Sequence, residues 1–160
     1  MTHARSVAAR LAPALAVLLA AAACFTPTQR REDDLIRESR LWNDDFRWAR
    51  WEVAGQSMTA EENALFQARK DLVEDDLVIA DYEVTSIRFL QGSQAATVDV
   101  SLQWYKKSDP SVRQATLQQR WEHRGGRWMM IKQRRLRGDR FPLVPEPVEE
   151  KPASAVRATQ

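Results

Sequence analysis

The apolar residues of this chain change period near Leu77, and that change constrains the fold more tightly than any single motif. Beyond it, Ala96, Val98, Val100, Leu102 and Trp104 alternate with Thr97, Asp99, Ser101, Gln103 and Tyr105. Strict alternation marks a strand with one buried face. Ahead of it, Tyr82, Val84, Ile87 and Phe89 belong to a strand whose phase slips between Val84 and Ile87, which predicts a bulge. Gln91-Gly92-Ser93-Gln94 joins the two as a hairpin turn, and Ser108-Asp109-Pro110-Ser111 predicts the next turn, with Pro110 fixing its backbone. A third strand carries Ala115, Leu117, Gln119, Trp121 and His123 on one face. Gly125-Gly126 then closes a two-residue hairpin into a fourth strand at Trp128 and Met130. Four strands joined by short turns make an antiparallel meander.

The residues before Leu77 are helical. Leu35, Trp42, Phe46, Ala49 and Val53 fall on one stripe, while Leu41, Trp48 and Trp51 fall on nearly the opposite side. A helix apolar on two sides is either buried between layers or bent near Arg50, and Gly55 ends the run. Thr59 and Glu62 have the spacing of a capping box, in which each side chain answers the other's backbone donor. Leu65, Ala68, Arg69 and Leu72 follow at helical spacing, with Phe66 and Val73 beside them. The expected fold is therefore α+β, with two or three N-terminal helices packed on one face of a curved four-stranded antiparallel meander. About 110 residues are enough for one small core.

The N-terminus has the three parts of an export leader. Arg5 and Arg10 supply positive charge, Leu11 to Ala20 is apolar, and Ala21-Ala22-Ala23 leads into Cys24, the only cysteine of the 160 residues. The apolar run is interrupted by Pro13 and is shorter than the ~20 residues that a spanning helix needs. Two processing routes fit. Cleavage after the small residues releases a soluble chain, or the Cys24 thiol takes a diacylglycerol and becomes the new N-terminus. The arrangement resembles the maturation site of a bacterial lipoprotein, although such sites usually carry leucine where this chain has Ala21. A lone cysteine in an exported chain has no intramolecular disulfide partner, which favours lipidation. The expected organisation is a lipoprotein-type leader over 1–23, a tether over 24–32, a domain over 33–141, and a Pro/Glu-rich disordered tail over 142–160. A coil the length of the tether reaches about 15 Å and would hold the domain close to a cell-envelope membrane, facing the periplasm or the surface.

Charge narrows the partners. When Arg5 and Arg10 leave with the leader, the 24 basic residues fall to equality with the 22 acidic ones, so no global charge favours nucleic acid. Locally, Lys132, Arg134, Arg135, Arg137 and Arg140 crowd the end of the domain. They read either as a solvated strand edge that discourages edge pairing or as a contact for anionic lipid headgroups or an envelope polymer. Trp48 and Trp51 are the second partner-binding candidates, marking a protein contact where their rings are exposed. Glu74-Asp75-Asp76 lacks the histidine or loop geometry of a metal site and reads as a solvated helix end. The sequence has no Ser-His-Asp set, no glycine-rich phosphate cradle and no metal-ligand spacing, so no cofactor and no metal are expected.

The run from Gln119 to Trp128, with Trp121, the Gly125-Gly126 turn, Arg127 and Trp128, resembles the last hairpin of nuclear transport factor 2-like, or cone-fold, domains. Asp45 to Glu52 and Asp81 to Val84 are similar to segments of a group of uncharacterised proteobacterial lipoproteins. Gly55 to Thr59 leaves no room for the extra strand pair that cone-fold enzymes usually carry there. That superfamily holds isomerases and dehydratases as well as non-enzymatic binding modules, so the resemblance alone does not choose between them. Its enzymatic alternative implies acid–base chemistry by His123, paired with Asp99 or Glu122. Glu122 is its strand neighbour and points to the opposite face, and Asp99 lies on the polar phase. The expectation is a non-enzymatic binding or structural module, anchored to a membrane by its N-terminal lipid.

Overall fold

The computed structural model describes residues 27–145. The leader, Cys24 and the acidic residues beyond Pro145 lie outside that range. Helix α1 (Pro27–Arg47) opens on a proline, whose missing N–H costs nothing in a first turn. Residues 27–32, expected as tether, are therefore helical. Tertiary contacts fix these polar turns: the Trp128 indole N–H donates to the Arg31 carbonyl at 2.7 Å, and the Ser93 hydroxyl donates to Glu32 Oε1 at 2.5 Å.

Leu35, Trp42 and Phe46 form the buried stripe of α1. Buried Asn43 lies beside them and starts a chain of hydrogen bonds into the sheet. Its amide donates to the Ser39 carbonyl at 2.7 Å, Gln119 Nε2 donates to Asn43 Oδ1 at 2.9 Å, and Trp121 Nε1 donates to Gln119 Oε1 at 3.2 Å. These polar atoms answer one another and so avoid the ~1–3 kcal/mol cost of an unpaired buried group.

The helix breaks after Arg47, where Ala49 takes a left-handed conformation with φ of 55°. A short helix α2 (Trp51–Gly55) restarts in a new phase. Trp51 is thereby carried inward, edge-on to Phe46 at 5.4 Å, while Val53 turns to solvent. The predicted bend near Arg50 is present, and it reverses which residues face the core. Helix α3 (Ala60–Lys70) follows, with Thr59 as its N-cap, accepting the Glu62 N–H at 3.4 Å. The reciprocal half of the capping box is absent. Glu62 Oε1 instead accepts the Gln133 backbone N–H at 3.0 Å, and the Thr59 N–H goes to the Met130 carbonyl at 3.0 Å. Pinned in this way to the sheet edge, α3 buries Phe66 and the Lys70 stem, and Leu65 and Leu72 stand exposed.

The acidic run after α3 is also less solvated than its sequence predicts. Lys70 Nζ pairs with Glu74 at 2.9 Å and Asp71 at 3.0 Å. These bonds hold the ammonium well above the usual lysine range. Asp76 accepts the Ser108 N–H and hydroxyl at 2.7 and 2.6 Å, which keeps its carboxyl below the ordinary range.

Strands β1 (Leu77–Leu90), β2 (Ala95–Lys106), β3 (Asp109–Arg124) and β4 (Arg127–Gly138) form one antiparallel sheet in the order β1-β2-β3-β4. The expected α+β architecture is present, with three helices on one face of the sheet. The phase slip predicted in β1 is a register shift between Val84 and Ser86, accompanied by another between Ile79 and Asp81. Gly125 and Gly126 close the last hairpin with φ of 56° and 83°, the two positive angles that a type I′ turn requires. The β2–β3 turn differs from expectation. Lys106 pairs with Asp109, so the turn is Lys107-Ser108, and Pro110 lies in a bulge where residues 110–112 oppose Tyr105. A bulge suits proline because it has no N–H to give to a ladder.

The chain then folds back onto the helix side of the sheet. Phe141 packs between Phe46 at 5.9 Å and Trp104 at 5.5 Å, and Leu143 and Val144 are buried beside it. The boundary expected at residue 142 therefore moves beyond Val144, because these apolar residues complete the aromatic cluster of the core.

Candidate functional site

The face of the sheet away from the helices is polar and crossed by one continuous hydrogen-bond ladder. Residues directly opposite on neighbouring strands share a face, and the register sets Arg88 opposite Thr97, Asp99 opposite Gln118, and Gln118 opposite Arg134. Arg88 Nη2 meets Asp99 Oδ2 at 3.1 Å, and Gln118 Nε2 donates to Asp99 Oδ1 at 2.8 Å. Arg134 donates to Gln118 Oε1 from Nε and Nη2 at 3.0 and 2.7 Å. Asp99 thus neutralises Arg88, and Gln118 passes only a dipole onward to Arg134.

Beside that ladder, Thr97, Gln118, Arg120, Lys132 and Arg134 line a cleft of 220 Å³. Arg120 and Lys132 are opposite one another on β3 and β4. Arg120 reaches Glu122 only at 3.9 Å, and among the described residues neither Lys132 nor Arg134 makes an ion pair with a carboxylate. Three cations therefore share this cleft, and the one ion pair among them, Arg120 with Glu122, is at the limit of pairing distance. Arg137 continues the row, donating to Thr116 Oγ1 at 3.2 Å. Arrangements of this kind attract anions, and the ladder holds the donors in place before any ligand arrives.

The sheet splits the basic cluster read from sequence. Lys132, Arg134 and Arg137 share the uncovered face. Arg135 sits opposite buried Leu117 on the helix side and donates to the Gly138 carbonyl at 2.8 Å. The extra β4 residue between Met130 and Lys132 turns Lys132 and Arg134 away from the face of Met130. Plain alternation leaves Arg135 opposite them, and the extra residue between Arg135 and Arg137 returns Arg137 to their face. Arg140 lies beyond the strand, beside Phe141. Arg120, Thr97 and Gln118 were missed by sequence reading, since no single strand shows them as a cluster. Their signal was parity: each occupies the polar phase of its strand, and only the cross-strand register sets them side by side.

Of the tryptophan pair, Trp48 is 63% exposed with the Arg47 guanidinium 5.4 Å from its ring, and Trp51 is buried at 5%. The break at Ala49 separates the two rings, so they do not form a joint platform. His123 lies at the hairpin end of β3, edge-on to Trp128 at 5.4 Å. It is on the opposite face from Asp99 and Glu122, and Glu122 instead binds Arg124 at 2.5 Å. No dyad is assembled from those residues. Cys24 lies outside the described residues. Among the described residues no cluster of histidine, cysteine and carboxylate side chains suits a metal ion, and no helix is long and apolar enough to cross a membrane.

Comparison with family models, with curated proteins and with solved structures gave no match to this chain.

Proposed function

We propose that this protein is a lipid-anchored component of a bacterial cell envelope, and that its domain, similar to the nuclear transport factor 2-like fold, is a non-enzymatic module that binds an anionic membrane surface. The observation that carries this reading is the convergence of Arg120, Lys132 and Arg134 in one cleft on the uncovered sheet face, where Asp99 is already paired with Arg88 and Glu122 reaches Arg120 only at 3.9 Å.

The position of the anchor supports it. Two residues, Phe25 and Thr26, separate Cys24 from Pro27, a span of at most ~11 Å over the three steps. The first turns of α1 lie against Trp128 and Ser93, at the end of the sheet where the β1–β2 and β3–β4 hairpins turn. A lipid on Cys24 therefore brings that end to the bilayer. Arg30, Arg31, Arg124 and Arg127 are at the same end, and the row Arg120, Lys132 and Arg134 begins there. Each basic residue near an anionic surface contributes about 1 kcal/mol of attraction, screened by salt.

The test uses the mature chain with Cys24→Ala, which has no lipid, and vesicles of phosphatidylcholine with or without a third of phosphatidylglycerol. Binding is expected only to the anionic vesicles and should weaken steeply between 50 and 200 mM salt, as a roughly charge-driven contact does. Lys132→Gln with Arg134→Gln should reduce it by about 2 kcal/mol, from ~1 kcal/mol per charge. Equal binding to neutral vesicles, or indifference to both substitutions, would refute the reading.

A further inference from the structure

A second concavity lies at the opposite end of the sheet from the β1–β2 and β3–β4 hairpins, where the β2–β3 turn meets the chain leaving β4. It has a volume of 680 Å³, and Trp104, Lys106, Asp109, Arg113, Arg140 and Phe141 are among the residues that line it. That volume is in the range of small-ligand sites. Its base is aromatic, with Trp104 and Phe141 edge to face at 5.5 Å and both nearly buried. The Arg113 guanidinium lies 5.2 Å from the centre of the Trp104 ring, and its Nη2 is paired with Asp109.

Two donors in this groove have no acceptor. Arg113 Nη1 and Trp104 Nε1 are both buried without a hydrogen-bond partner. A buried donor left unanswered costs about 1–3 kcal/mol, and here the two belong to stacked side chains lining the same groove. Cations outnumber carboxylates among the lining residues, with Lys106, Arg113 and Arg140 against Asp109. Asp109 answers neither donor, its carboxylate taking Arg113 Nη2 and the Ser111 N–H instead. The Ser111 hydroxyl, then Arg113 and the Ser111 N–H, lower its pKa to about 2.

We propose that this groove binds a carboxylate, with Arg113 Nη1 and the Trp104 indole N–H as its donors and the Trp104–Phe141 surface against the apolar body of the ligand. A guanidinium presents paired donors that match carboxylate geometry. The site shares no residue with the cationic cleft on the sheet face and does not depend on lipidation. The carboxylate has two sources. It belongs either to a free aromatic acid or to Glu146, Glu149 and Glu150, which follow Pro145 in the chain.

The experiment is a titration of the full mature chain with benzoate, and with benzamide as the uncharged probe of the same shape. The readout is the Trp104 indole N–H resonance, assigned by Trp104→Phe. Benzoate is expected to move it saturably, with benzamide at least about tenfold weaker, the ratio that one charge-assisted hydrogen bond supplies. Arg113→Gln should weaken benzoate by about tenfold or more, and Arg113→Lys, which keeps the charge and the packing stem, by less.

A Glu146→Gln, Glu149→Gln, Glu150→Gln chain separates the sources. If that change alone moves the Trp104 resonance and tightens benzoate binding, the chain supplies its own carboxylate. If it changes neither while benzoate still binds, the ligand is a free acid. The proposal is overturned if benzoate and benzamide titrate alike, if folded Arg113→Lys and Arg113→Gln both bind benzoate as the parent does, or if neither benzoate nor the tail substitutions move the resonance.

Discussion

Glu62 is half-buried between α3 and the edge of β4, and it shows how a local signal is redirected by packing. Its spacing from Thr59 predicts a reciprocal cap, yet its carboxylate answers the Gln133 N–H on the sheet edge. Burial raises its pKa above the ordinary glutamate value, the Gln133 bond opposing this in part. A raised carboxyl pKa means the fold holds the proton more tightly than the unfolded chain does. Its contribution is therefore fully present below the unfolded pKa and is lost as pH rises through the folded one. Glu62→Gln keeps an oxygen for Gln133 and removes the ionisation, so its stability relative to the parent should rise between pH 4 and pH 7 in urea unfolding. Glu62→Ala should cost about 1–3 kcal/mol at pH 7, since it leaves the Gln133 N–H unanswered. Equal losses for Gln and Ala would show that the bond contributes nothing. Tyr82 is a second residue moved by its surroundings. Burial and its bond to Asp44 Oδ1 at 2.7 Å push its hydroxyl up to about 12.

At the scale of elements, the break between α1 and α2 decides more than its length suggests. Had the helix run on, Trp51 would lie on the Leu41 side, which is exposed. The left-handed turn at Ala49 instead directs Trp51 into the aromatic cluster, where it meets Phe46 and Phe66. An L-residue in that conformation costs about 1–2 kcal/mol, and the turn is closed by the Ala49 N–H to the Phe46 carbonyl at 3.3 Å and the Arg50 N–H to the Asp45 carbonyl at 2.8 Å, bonds that a glycine at 49 would keep. Ala49→Gly is expected to raise stability by about 0.5–1 kcal/mol after the added entropy of the unfolded chain, and Ala49→Val to lower it. Thermal melts of the two variants check this, and a Gly variant less stable than the parent would mean that the break is not strained. The edge of β4 is managed in a comparable way. Met58 forms a parallel bridge with Met130, and Glu62 covers the next free N–H, so the exposed row of donors is shortened.

For the whole molecule, the two ends of the sheet divide the proposed tasks. The hairpin end carries the first turns of α1, which begin three positions after Cys24 in the chain, and the opposite end holds the groove of Trp104 and Arg113. Intact mass of the protein isolated from membranes, beside Cys24→Ala, tests the anchor on which this orientation rests. A gain of diacylglycerol and acyl mass at Cys24, absent from the variant, is expected. More than one acyl chain makes such attachment stable rather than reversible. An unmodified soluble chain would remove the orientation and, with it, the reason for placing the cationic cleft near a bilayer.

Period and turn chemistry are local properties, and on their own they determined the four strands, the bulge after Val84, the Gly125-Gly126 hairpin and the division into helices followed by a meander. A strand's alternation depends only on which neighbours are apolar, so one sequence suffices to read it. Faces shared by different strands do not follow from any one strand. Alternation separates Arg135 from Lys132 and Arg134, and only the bulge after Arg135 decides that Arg137 stands with the latter two. The same holds for Leu143 and Val144, which follow a proline in a stretch that reads as tail and yet are buried. Only packing against the Phe46–Trp104–Phe141 cluster offsets the entropy of ordering them. The cationic cleft and the Trp104–Arg113 groove belong to this second class, because each is assembled from residues brought together by register and by the returning chain.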